Sequence, residues 1–136
     1  MSFQPSKTFI NLPVSDLDQA VAFFTKLGFA FNPQFTDENA TSMIINDSTF
    51  AMLLVKPHFQ TFTPKEIVDA KQSTEVLIAF LVESREKVDE IVNAAVNAGG
   101  SSIGSNKDYG FMYSWSFQDL DGHIWEVFYM DEQAAQ

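Results

Sequence analysis

Two stretches decide how this chain folds: Phe9-Ile-Asn-Leu-Pro-Val-Ser-Asp-Leu-Asp and Leu77-Ile-Ala-Phe-Leu-Val-Glu-Ser-Arg-Glu. Each is a run of branched and apolar residues suited to a strand, and each stops at Ser or Asp where a helix can open. Val14 and Val82 are corresponding positions, so the stretches lie 82 − 14 = 68 residues apart, half of the 136-residue chain. A fixed internal period is the mark of a duplicated module. Two copies of a half-open sheet are expected to enclose a cavity, and the strand faces turned toward it are where ligand-binding groups must sit.

Outward from the first stretch, residues 7–14 predict a strand and Ser15 the cap of a helix that puts Leu17, Ala20, Val21, Phe24 and Leu27 on one face. Gly28 ends it. Phe29–Phe35, Thr41–Asn46 and Thr49–Val55 then predict three strands, with turns at Asp37-Glu38-Asn39 and Asn46-Asp47-Ser48. The second module opens with a strand over Glu75–Val82, and Ser84 caps a helix presenting Val88, Ile91, Val92 and Ala95 before Gly99-Gly100 stops it. A short strand near Ser102 follows, then Phe111–Phe117 and His123–Tyr129, the last two joined across Gln118–Gly122, whose Asp-Gly pair tolerates a tight turn. Both modules therefore run β-α-β-β-β. The fold class is α+β, a single domain over residues 1–136 in which modules 7–55 and 75–130 form curled mixed sheets, paired edge to edge or swapped between chains. In the connector 56–74, Thr63-Pro64-Lys65-Glu66 has the form of a capping box with proline at the first helical position, so a short helix is expected there. Its Phe59, Phe62 and Ile67 need apolar surface to cover, as a lid or a dimer contact. The tail Asp131–Gln136 has too little apolar content to order itself.

Composition narrows the function. Hydrophobic residues make up 46% of the chain, enough to bury a core, and 14 are Phe, which serve an aromatic core or an apolar cavity. Eighteen acidic against eight basic residues give a net charge of −10. Such a field repels phosphate backbones and anionic lipid headgroups, so neither nucleic acid nor membrane is an expected partner. The start Met-Ser-Phe-Gln-Pro-Ser-Lys lacks the charged-then-apolar pattern of a secretion signal, so the cytoplasm is the expected location. With no cysteine there is no disulfide, thiolate metal site or thiol catalysis.

On the last strand, alternation places Ile124, Glu126 and Phe128 on one face and Trp125, Val127 and Tyr129 on the other. If the face of Glu126 is concave, desolvation makes it a candidate ligand or general base; if convex, it is a solvated carboxylate. His58 follows Pro57 at a strand end and reads as a loop residue. His123 is three positions from Glu126, an odd separation that sends the two side chains to opposite faces.

Val14-Ser-Asp-Leu-Asp-Gln-Ala-Val-Ala-Phe-Phe-Thr-Lys-Leu-Gly-Phe29 and Phe117-Gln-Asp-Leu-Asp-Gly-His-Ile-Trp-Glu-Val127 resemble the two signatures of the vicinal oxygen chelate superfamily, which includes glyoxalase I, extradiol dioxygenases and bleomycin-resistance proteins. The resemblance spans essentially the whole chain. It implies a glyoxalase/bleomycin-resistance fold, a homodimer, and, in catalytic members, one divalent metal held by His, Gln or Glu from four strands, two per module. In this chain the corresponding positions are Phe9, Leu77, a site near Met52 with Leu54 as its alternative, and Glu126. Only Glu126 can bind a metal, and a divalent ion needs about three protein donors to compete with water. No cofactor is therefore expected, and a divalent metal would require other ligands.

The remaining face, Phe9, Asn11, Met52, Leu54, Leu77, Ala79, Glu126 and Phe128, suits a pocket for a small organic molecule. Tyr109, Phe111 and Tyr113, beside Gly110, form an aromatic stretch that serves either as a flap over a flat ligand or as plain core. Three functions follow. The first is metal-independent binding or sequestration, the second a lyase or isomerase of the lactoylglutathione-lyase type with Glu126 as base or metal ligand. The third is a regulatory or dimerisation module whose pocket is filled by its own Phe side chains.

Overall fold

Val14 ends the first strand because the next residues are better used as a helix start. Asp16 has extended backbone dihedrals, and its carboxylate accepts the Gln19 amide at 3.0 Å. The cap is thus Asp16 rather than Ser15, since capping falls to the side chain that reaches the amide three positions on. In the second module Ser84 caps as expected, its hydroxyl accepting the Lys87 amide at 3.0 Å.

A computed structural model describes residues 2–131. The chain divides into two compact units between Ile67 and Val68, inside the expected connector. The first holds β1 (Thr8–Val14), α1 (Leu17–Lys26), β2 (Ala30–Asn32), β3 (Ala40–Ile44), β4 (Thr49–Val55) and α2 (Lys56–Gln60). Its sheet order is β1-β4-β3-β2, with β1 parallel to β4 and the other pairs antiparallel. The second unit holds β5 (Leu77–Leu81), α3 (Arg85–Asn97), β6 (Ser101–Asp108), β7 (Met112–Gln118) and β8 (Ile124–Met130). Its order, β5-β8-β7-β6 with β5 parallel to β8, repeats the first. The β-α-β-β-β plan holds in both, and α+β is the fold class. Of the expected tail, residues 132–136 lie outside the described residues.

Three local expectations are corrected. The strand expected over Phe29–Phe35 is cut to Ala30–Asn32, because the Asn32 side chain accepts the Gln34 amide at 3.0 Å and Pro33 opens a 3-10 turn through Phe35. The connector helix lies at Lys56–Gln60, not at Thr63–Glu66. There the Thr63 hydroxyl accepts the Lys65 amide at 3.1 Å, and the Gln60 side-chain amide donates to the carbonyls of Thr63 and Lys65. These bonds close a turn in place of a helix. The short strand near Ser102 is in fact eight residues long, all of them exposed, with a register shift between Ile103 and Lys107.

Each sheet buries one face under its helix. In the first unit Leu12, Val14, Met43, Ala51 and Leu53 are buried, as are Leu17, Ala20, Phe23 and Phe24 of α1. In the second, Ile78, Tyr113, Phe117, Trp125 and Val127 are buried with Val88, Val92 and Ala95 of α3. Phe117 and Trp125 stack with ring centres 6.4 Å apart, and each large buried side chain contributes about 2 kcal/mol.

The signature Gln118-Asp119-Leu120-Asp121-Gly122 is structural. The Asp119 carboxylate accepts the amides of Asp121 and His123 at 2.9 and 3.0 Å and the Trp125 indole at 2.9 Å. Burial raises the Asp119 pKa, against the opposing pull of His123 and these hydrogen bonds. Gly122, at φ 95°, lies so close to the chain at Ala70 and Lys71 that a Cβ would fall 2.6 Å from the Lys71 nitrogen. Only glycine fits this approach.

Candidate functional site

Paired residues on neighbouring strands project to the same side of a sheet, so the register sorts every strand residue into a helix-covered or a helix-free face. On the helix-free face of the first unit, three rows cross β1, β4 and β3: Phe9–Phe50–Ile44, Asn11–Met52–Ser42 and Pro13–Leu54–Ala40. The second unit gives three rows across β5, β8 and β7: Leu77–Ile124–Gln118, Ala79–Glu126–Ser116 and Leu81–Phe128–Ser114. The rows match one for one at the 68-residue offset on β1 and β5. Met52, not Leu54, is thereby the counterpart of Glu126.

Of the residues singled out from sequence, Phe9, Asn11, Met52 and Leu54 share one face in the first unit; Leu77, Ala79, Glu126 and Phe128 share one face in the second. Phe9 stacks on Phe50 with ring centres 5.1 Å apart, and the Lys7 ammonium sits 5.4 Å from the Phe50 ring centre. Leu77 and Leu81 are exposed, whereas Leu54 is buried. Glu126 is half-buried, and among the described residues no hydrogen bond or ion pair engages its carboxylate.

Tyr109 and Phe111 are exposed where β6 turns into β7 around Gly110, whose φ is 86°. This turn is tied to α3: the Arg85 guanidinium donates to the Gly110 carbonyl at 2.6 Å and lies 3.8 Å from the Asp108 carboxylate. Tyr113 departs from the flap expectation. It belongs to the helix-covered face, buried, with its hydroxyl donating to Asp89 of α3 at 2.7 Å. Burial first, then the Asp89 hydrogen bond and charge, push its phenol up to about 12. The core alternative for that aromatic stretch therefore holds at Tyr113, because a residue one position from Ser114 must face the other way.

Sequence reading missed the polar half of the second face. Ser114, Ser116 and Gln118 line β7 beside Phe128, Glu126 and Ile124, and all three are half-buried. Their signal was available as the alternation Met112-Tyr-Ser-Trp-Ser-Phe-Gln118, in which large and polar residues take turns. His58 lies against the Phe62 ring, centres 5.2 Å apart, and His123 is buried in the turn before β8.

The donor set does not fit the metal that catalytic relatives hold. The first sheet offers Phe9 and Met52 at the family positions and the second Leu77 and Glu126, so a carboxylate is the sole hard donor among them. Among the described residues, no group of three or more His, Cys, Asp or Glu is placed to hold an ion.

The comparisons with known proteins agree with this architecture. A family model described as bleomycin resistance protein-like N-terminal matches residues 7–46, which run from β1 through β3. The structure of hypothetical protein SA1046 from S. aureus is similar at 30% identity, with 95% of each chain covered and a TM-score of 0.78. A glyoxalase/bleomycin resistance protein/dioxygenase family enzyme from Burkholderia phytofirmans PsJN aligns at 16% identity over 90% of this chain and 96% of its own, with a TM-score of 0.77. A glyoxalase-related enzyme from Fulvimarina pelagi gives 21% identity, 93% and 88% coverage, and a TM-score of 0.77. The last two show the fold alone. No functionally curated protein matches the chain. The family match at residues 7–46 and these structures give the two duplicated units the glyoxalase/bleomycin-resistance fold, consistent with the vicinal oxygen chelate superfamily. No helix among the described residues is long and apolar enough to cross a membrane.

Proposed function

We propose that this protein binds and sequesters a small organic molecule on the helix-free faces of its sheets, without a bound metal ion. The observation that carries this reading is the row match: Met52 stands where the second unit has Glu126, and Phe9 and Leu77 occupy the other family positions. Hydrocarbon there favours apolar ligand groups over an ion. Each face is a binding surface by itself, with Phe9, Asn11, Met52 and Leu54 in the first unit and Leu77, Ala79, Glu126 and Phe128 in the second. Tyr109 and Phe111 are placed at a turn where they can add aromatic surface. The protein acts in the cytoplasm as a homodimer.

The test is a thermal-shift screen of small organic molecules on protein stripped with a chelator. Stabilisation by at least one compound, unchanged when zinc, nickel or manganese is restored, is the expected result. Metal-dependent turnover of the methylglyoxal–glutathione hemithioacetal would overturn the reading. A second reading, a lyase or isomerase using Glu126 as general base, is favoured by the unengaged carboxylate. It predicts metal-free turnover that Glu126→Gln abolishes.

A further inference from the structure

We infer that the helix-free face of the second sheet selects an organic amine, whose ammonium head is held by Glu126 and whose apolar body lies along Ile124 and Phe128. The inference rests on the proposal that this face binds a small molecule at all. Across the strands Glu126 stands between Ala79 and Ser116, two short side chains, so its carboxylate rises above its own row. Along β8 its same-face neighbours are Ile124 and Phe128, both large and apolar. The result is a carboxylate flanked across the sheet by short side chains and along its own strand by large apolar ones.

Charge decides among the ligands that could enter. A carboxylate half-removed from water and without a partner gains most from a charged donor, because charge-assisted hydrogen bonds are about twice as strong as neutral ones. An ammonium has three donors. Glu126 can accept from it, and so can the hydroxyl of Ser116 in the same row, with Ser114 and Gln118 in the flanking rows of β7. A neutral alcohol would satisfy fewer of these groups, and an anion would meet the Glu126 charge on a protein of net charge −10. Lys107, which pairs in register with Ser114 on the edge strand, is two strands from Glu126, and no ion pair joins them among the described residues.

The full-length protein is titrated calorimetrically with phenethylamine, phenethyl alcohol and hydrocinnamate, which share an aromatic body and differ in the head group. The amine should bind about tenfold tighter than the alcohol, with the anion weakest. Glu126→Gln should erase that preference while leaving the alcohol within about twofold of its wild-type affinity, because only the charge-assisted bond is lost. Ala79→Phe, which crowds Glu126 from an exposed position, should weaken amine and alcohol together. Equal affinity for amine and alcohol, or a preference that survives Glu126→Gln, overturns the amine inference and leaves the wider binding proposal standing. If none of the three binds and the metal-free screen is also empty, both fall.

Discussion

In the first unit Met52 stands between Asn11 and Ser42; in the second, Glu126 stands between Ala79 and Ser116. The strand order, the parallel pair and the register of the three paired strands β1-β4-β3 and β5-β8-β7 are repeated, so that much backbone is common property and the chemistry is not. One unit fills the central position of its row with a thioether, the other with a charge. Duplication kept the scaffold because register and core packing demand it.

The largest effect is expected where the units differ in backbone crowding. Gly28 closes α1 at φ 106° with nothing within 4 Å of its Cβ direction, while Gly122 faces backbone atoms at 2.6 to 2.7 Å. Gly122→Ala should cost about 3 kcal/mol or more, since the neighbouring chain must move as well as the turn. Gly28→Ala should cost about 1 kcal/mol, for the positive φ alone. Urea unfolding of both variants measures the gap, and equal losses would show that the approach of Ala70 to Gly122 is unimportant.

Next in size is the exchange of the central residues. Met52→Glu puts a charge on a half-buried position and should destabilise by about 2 kcal/mol.

A smaller change tests the tie between α3 and β7. Tyr113→Phe removes the bond to Asp89 and should cost about 1 kcal/mol at neutral pH. The folded phenol keeps its proton to about 12 against an ordinary 10.0, so its contribution is complete below pH 10.0 and is lost as the pH rises toward 12. Tyrosinate absorbance should therefore show a late step that Tyr113→Phe abolishes.

Glu126→Met should change stability least, by about 0.5 kcal/mol in either direction, because no partner is lost. A large loss would mean that the carboxylate is a structural group after all.

How far the sequence could be read depended on the kind of signal. The 68-residue period, the β-α-β-β-β order and the set of residues sharing a face with Glu126 were legible because alternation and helix caps are local. The cap at Asp16 was missed by one residue, since Ser15 and Asp16 are both good caps and only the reach to Gln19 separates them. β6 was seen as a fragment because Ser, Gly and Asn carry no strand preference; β7 imposes the strand by pairing. The helix at Lys56–Gln60 was hidden behind a stronger-looking motif at Thr63–Glu66, whose hydroxyl accepts the Lys65 amide and whose carbonyls at Thr63 and Lys65 are taken by the Gln60 side chain, closing a turn. On the site, the apolar residues were found, but Ser114, Ser116 and Gln118 were not. Their alternation with large residues over Met112–Gln118 was legible, but only the register sets them beside a carboxylate.

The register shift in β6 also governs how the molecule behaves in company. An open edge of eight exposed residues would invite a strand from another molecule, and such recruitment is how fibrils begin. Here the ladder skips between Ile103 and Lys107, and Gly104 sits within the gap at φ 62°. A foreign strand would lose alignment after a few residues and meet a lysine beyond the break. The irregular edge thus guards against aggregation when the protein is crowded.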